Sequence, residues 1–166
     1  MRPLSQQRAS PLQIDIQTQS LLWDAQPLAA QIVRDAIGAA ASALSTAGGE
    51  VSIVLTNDSA IRDLNREWRG IDKPTNVLSF PASSQTAGGD AALLGDIVIA
   101  YETLESECDD ENRIFLHHLA HLAVHAGADL FRAQDPQGSV GKAPFRPTLR
   151  PAARFEEPGH HSLRRR

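Results

Sequence analysis

A single cysteine, Cys108, stands in 166 residues. No disulfide can close within the chain and no cysteine-based zinc site can form, a usage suited to a reducing compartment. No apolar run approaches the roughly 18 residues that a membrane-crossing helix needs. The N-terminal stretch MRPLSQQRASPLQIDIQ lacks the apolar core of a secretory signal. The expectation is therefore a cytoplasmic protein with no membrane partner. Phosphate-loop and dinucleotide fingerprints are missing, as is a Gly-x-Ser-x-Gly nucleophile elbow. No Glu follows the first histidine of a His-x-x-x-His pair, which argues against a metalloprotease. No internal repeat is visible.

What is present suits one soluble domain: 42% apolar and 22% charged residues. The net charge of −4 averages two unlike parts. Residues 1–125 hold 8 basic and 16 acidic side chains, whereas residues 126–166 hold 8 basic and 4 acidic. Half of the prolines (Pro136, Pro144, Pro147, Pro151, Pro158) lie in that second part.

The patterning predicts an α+β fold, a small mixed sheet with packed helices. Residues 1–11 read as a flexible lead-in. Alternation from Leu12 to Gln17 predicts a half-buried strand. Pro27 to Thr46 carries apolar residues three and four apart, a helix ended by Gly48 and Gly49. A strand from Val51 follows. Asn57 or Asp58 can cap a helix over residues 59–68, with Ile61, Leu64 and Trp68 inward and Gly70 stopping it. Val77–Phe80 and Gly95–Ala100 read as strands, with residues 82–92 a flexible loop. Gly95 allows a bulge or a close backbone approach, and Asp96 reads as an edge hydrogen bond or a turn cap. Glu102–His125 reads as one helix. Beyond it, Gly127, Gly138, Gly141 and the prolines interrupt any period, which predicts an Arg/Pro-rich disordered tail over residues 126–166.

Two clusters can carry chemistry. His117, His121 and His125 follow at four-residue spacing, which on a helix stacks imidazoles along one side and can present two of them to a metal ion. The bland alternative is packing or capping near a helix C-terminus. Arg66, Arg69 and Lys73 surround a turn in an otherwise acidic region, where a guanidinium fork suits phosphate oxygens. Asn76 and Ser79 add neutral hydrogen-bonding groups. The alternative there is a solvated loop with surface pairs such as Arg69 with Asp72.

Three blocks, Asn65-Arg-Glu-Trp-Arg-Gly-Ile-Asp-Lys-Pro-Thr-Asn-Val-Leu-Ser-Phe-Pro81, Leu94-Gly-Asp-Ile-Val-Ile99 and His117-His-Leu-Ala-His-Leu-Ala-Val-His125, resemble the bacterial YbeY family in content and order. The resemblance covers about residues 12–125. It implies a zincin-like, metal-dependent hydrolase: a zinc-dependent, single-strand-specific endoribonuclease that matures the 3′ end of 16S ribosomal RNA and acts in ribosome quality control. The implied partners are single-stranded RNA, the ribosome and ribosomal proteins. Arg69 would contact the scissile phosphate as the catalytic residue, with Arg66 and Lys73 as further phosphate contacts. His125 would be the first ligand of one zinc ion, held in the family by three histidines spaced three and then five residues apart. Three imidazoles leave a position for water, which the metal acidifies into a nucleophile.

Here Ala126 stands where the motif has Gly, and Asp129 and Asp135 stand where it has the second and third histidines. His121 and His125 as an alternative first pair would place Phe131 at the third position. A makeshift site of His117, His121 and His125 with Asp129 is the remaining option. Arg, Pro, Ala and Gly enrichment after residue 125 is what GC-rich coding DNA spells out of frame. The sequence thus suggests a frame shift just after His125 and, as a second reading, a non-catalytic remnant or ribosome-associated binder.

Overall fold

The computed structural model describes residues 11–46, 48–82 and 92–134. Strand β1 (Leu12–Thr18) turns Leu12, Ile14 and Ile16 toward the core, as its alternation predicts. It pairs parallel with β2 (Gly49–Thr56). A 3-10 turn (Leu21–Ala25) and helix α1 (Ala29–Ala43) make the crossover that a parallel pair requires. Helix α2 (Asp58–Arg69) begins where the Asn57 side chain accepts from the Ala60 amide. It ends at Gly70, whose φ of 70° terminates the helix in the left-handed region. Strand β3 (Val77–Pro81) runs antiparallel to β4 (Leu93–Ala100), which runs parallel to β2. The sheet order is β1-β2-β4-β3. The fold is α+β with a small mixed sheet, in agreement with the sequence reading.

Two layers of side chains follow from strand alternation. Val51, Ile53 and Leu55 of β2 and Ile97 and Ile99 of β4 face α1 and α4. Val54, Val98, Leu78 and Phe80 point the other way, toward Ile61 and Leu64 of α2. Each fully buried aliphatic side chain, such as Ile53 or Leu119, contributes about 1.5–3 kcal/mol. Trp68, in the last turn of α2, departs from the reading: it is 38% exposed rather than inward.

The expected helix over 102–125 is two helices, α3 (Tyr101–Asp110) and α4 (Phe115–Arg132). The acidic run Asp109-Asp110-Glu111 opposes the negative end of a helix dipole. Asn112 then takes a φ of 51°, and the Arg113 amide returns to the Cys108 carbonyl at 2.8 Å. The N-termini of α2 and α3 cap each other. The Asp58 amide donates to Glu102 Oε2 at 2.8 Å, and the Thr103 amide and hydroxyl donate to Asp58 Oδ1 at 3.0 and 2.7 Å.

The boundary expected after residue 125 is also corrected. Helix α4 continues to Arg132 and buries Ala126, Gly127, Leu130 and Phe131. These residues keep the three- and four-residue spacing begun at Leu119 and Ala123, so the same face stays on the core. At Gly127 a Cβ would lie 2.8 Å from Ile37 Cδ1, so the missing side chain brings α4 close to α1. Gln134 Nε2 donates to the carbonyl of Leu94 at 3.0 Å and of Ala82 at 3.4 Å. The order predicted to be lost at 126 is present through 134. The rest of the expected tail, the lead-in at 1–10 and most of the expected loop at 82–92 lie outside the described residues.

Candidate phosphate-binding loop and histidine helix

The loop after α2 is held by a buried amide that the sequence reading passed over. Asn65, 4% exposed, donates from Nδ2 to the Lys73 carbonyl at 2.8 Å, and its backbone carbonyl accepts from the Ile71 amide at 3.2 Å. An Asn on the inward stripe of an amphipathic helix was the available signal, since a buried amide needs partners. Asp72 pairs with Arg62 through two bonds of 2.8 and 3.1 Å, and Arg66 reaches Asp72 at 3.4 Å and Asp63 at 2.7 Å. The hydrogen bond from Arg62 holds the Asp72 carboxyl below its ordinary range. Asp72 therefore serves Arg62 and Arg66, not Arg69 as the surface-pair alternative supposed.

This pairing sorts the basic residues. Arg66 is committed to two carboxylates. Arg69 and Lys73 are exposed, and neither side chain has an ion pair or hydrogen bond among the described residues. Among the described residues they are cations without a partner, on either side of Gly70.

A relay ties this loop to α4. Asn76 accepts from the Val77 amide at 2.7 Å and from the Ala100 amide, through its backbone carbonyl, at 2.9 Å. Its Nδ2 donates to both oxygens of Glu107 at 3.0 Å. Glu107 Oε2 lies 2.8 Å from Nε2 of the buried His118. Arg113, which can only donate, lies 3.4 Å from Nδ1. Nδ1 is therefore the acceptor, and Nε2 carries its hydrogen toward Glu107. His118 is the histidine of the cluster that packs, while His117, His121 and His125 are exposed on the outer face of α4.

Asp96 is not at an edge, because β4 is an inner strand of the sheet. It is 5% exposed, accepts a hydrogen bond from Ser52 on β2, and burial pushes its carboxyl up to about 6. Gly95 beside it does make the expected bulge: the β2–β4 register shifts between Glu50 and Val51. Burial also pushes the Cys108 thiol up, which leaves it a packing residue rather than a nucleophile.

A zinc ion held by three side chains does not fit the residues described. Among them, no three His, Cys, Asp or Glu side chains converge into a group that could hold a metal. The carboxylate of Asp129, one turn beyond His125, lies 3.8 Å from Arg132 on the exposed surface. Asp135 lies outside the described residues.

The profile of the endoribonuclease YbeY family matches residues 13–130. The endoribonuclease YbeY of Bradyrhizobium diazoefficiens is 50% identical over 109 residues, covering 62% of this chain and 60% of that protein. That of Bradyrhizobium sp. strain BTAi1 is 52% identical over 109 residues, covering 62% and 64%. That of Rhodopseudomonas palustris strain BisB5 is 49% identical over 112 residues, covering 62% and 57%. The chain thus spans about 60% of the length of the curated relatives it matches. With its residues 13–130 matched by that profile, the chain belongs to the endoribonuclease YbeY family.

Proposed function

We propose that this protein acts on single-stranded RNA as an endoribonuclease in the cytoplasm, on 16S ribosomal RNA near its 3′ end, in contact with the ribosome and its proteins. The reading draws its activity from the name its relatives carry. The observation that carries it to this chain is the pair of cations Arg69 and Lys73, without a partner among the described residues, in a surrounding where Arg62 and Arg66 are neutralised. A net acidic body repels a polyanion, so attraction has to be local. Lys73 would hold a phosphate as a point charge. Arg69 would fork onto the reacting phosphate and stabilise the charge that develops there. Asn65 and the Asn76–Glu107–His118 relay fix the loop so that these cations need little reorganisation.

Zinc in this family would supply an activated water. The described residues do not offer a zinc ion three ligands. That same observation favours a second reading, a non-catalytic RNA or ribosome binder.

Binding of a labelled, unstructured RNA by fluorescence anisotropy and its cleavage on a denaturing gel, with zinc supplied, separate the two. The endoribonuclease reading expects cleavage that Arg69→Ala abolishes, and a loss of binding of about tenfold in Arg69→Ala and Lys73→Ala. Binding without cleavage would leave the binder. Binding unchanged in both variants would remove the loop from either reading.

A further inference from the structure

Trp68 is a large aromatic side chain that the fold leaves partly in water. It is 38% exposed at the end of α2, and Ile71 in the loop that follows is 50% exposed. The other tryptophan is handled differently: Trp23 is buried, and its Nε1 donates to the Thr56 carbonyl at 2.8 Å. An indole carries a large apolar face, so leaving it at the surface forgoes stabilisation that a core position would give. Its surroundings suggest a use. Arg69 follows it directly in the chain. Asn65 lies one turn earlier on the same side of α2, since residues three apart are neighbours on a helix surface. The Asn65 side chain holds the Lys73 carbonyl, and its backbone carbonyl takes the Ile71 amide. The Lys73 amide in turn donates to the Ile71 carbonyl at 3.0 Å. The loop thus returns to the turn of helix that carries Trp68, and two apolar side chains alternate with two cations over residues 68–73.

We propose that Trp68 is a base-stacking residue, whose indole takes the face of one unpaired base in the strand whose phosphates meet Arg69 and Lys73. An aromatic ring for the base beside cations for the backbone is the combination that holds a single strand. The proposal rests on the RNA reading above and adds to it the residue that tells single strand from duplex. Bases within a duplex are stacked on one another and offer only their edges, so an indole face gains nothing from them. Every base has a π-face, so stacking selects unpaired nucleotides rather than a sequence. Arg69 and Lys73 cannot make that distinction, because phosphates line both forms.

The test uses the full chain and three probes: an unstructured oligoribonucleotide, an abasic ribose-phosphate strand of the same length, and an RNA duplex. Anisotropy measures binding, and tryptophan emission reports on the indole. Trp68→Leu is expected to weaken binding of the unstructured strand by about tenfold and to leave the abasic strand and the duplex unchanged. Leucine is a better helix former than tryptophan, so the end of α2 is kept. Trp68→Phe retains a ring and should retain most of the affinity. The log–log salt slope should match the parent's in Trp68→Leu, which loses no phosphate contact, and should be shallower in Arg69→Ala. The unstructured strand should quench the parent's emission but not that of Trp68→Leu, whose remaining Trp23 is buried. An equal loss for the unstructured and abasic strands in Trp68→Leu would assign Trp68 to shaping the loop and overturn the proposal. So would an affinity unchanged in Trp68→Leu while Arg69→Ala loses binding, a result that leaves the RNA reading standing. A parent that binds none of the three probes overturns both.

Discussion

Leu130 stands directly over Gly95. A Cβ at residue 95 would meet Leu130 Cδ1 at 2.6 Å and run into the Phe80 carbonyl oxygen. Gly95 also has a φ of 144°, a conformation that side chains rarely adopt. Helix α4 and the bulge of β4 are thus fitted to each other through a missing side chain. Gly95→Ala is expected to destabilise the fold by on the order of 3 kcal/mol, from strain and overpacking together. Leu130→Ala, which empties the space instead, is expected to cost about 2–5 kcal/mol. Urea denaturation measures both. A Leu130→Ala chain as stable as the parent would mean that residues beyond 125 are not part of the core.

The pairing at Asp72 predicts a gain rather than a loss. Asp72→Asn releases Arg62 from its carboxylate partner and leaves Arg66 with Asp63 alone. RNA affinity should rise, and its dependence on salt should steepen by roughly 0.7 in log–log slope for each cation newly in contact. Arg66→Ala should change affinity far less than Arg69→Ala, because Arg66 is already neutralised by Asp63 and Asp72. Anisotropy titrations across a salt series give both slopes, and an Arg66→Ala loss equal to that of Arg69→Ala contradicts the sorting.

Asp96 makes stability depend on pH in a direction opposite to a salt-bridged carboxylate. Its folded value of about 6 lies above the ordinary 3.8. The folded state therefore holds a proton that the unfolded state releases between those values. Its relative stabilisation is complete below about 3.8 and is lost as pH rises through about 6. The loss is up to about 3 kcal/mol, from 1.36 kcal/mol per unit. Asp96→Asn keeps an acceptor for Ser52 and carries no charge. Thermal unfolding between pH 4 and pH 7 should show a decline in the parent that is flattened in Asp96→Asn, and equal slopes would exclude Asp96 as its source.

His118 and Glu107 should prove energetically coupled. Removing Glu107 leaves the buried His118 Nε2 without its acceptor, at about 1–3 kcal/mol, whereas removing His118 leaves the half-buried Glu107 still paired with Asn76. The double variant His118→Ala/Glu107→Ala should cost less than the two single costs added, by about 1 kcal/mol or more. A strictly additive cycle would show that the 2.8 Å contact stabilises nothing.

The sequence by itself determined the strands, most of the helices and the family. Alternation in Leu12–Thr18, the Asn57 cap, the Gly70 stop and the Gly95 bulge act locally, over a few residues, so they can be read from one stretch of chain. Composition misled at residue 126. Glycine and later prolines masked a helix register that continues from Leu119 through Phe131, and only packing against α1 and β4 reveals it. The three blocks were legible as separate motifs, but their connection was not. The residues that join them, Asn65, Glu107 and His118, are polar side chains whose value lies in partners 8, 31 and 11 positions away. Which arginine is spent on a carboxylate and which cation stays free is likewise a question of distance. At 3–4 Å an ion pair forms and beyond a Debye length of about 8–10 Å it is largely screened, so the fold decides what charge counting cannot.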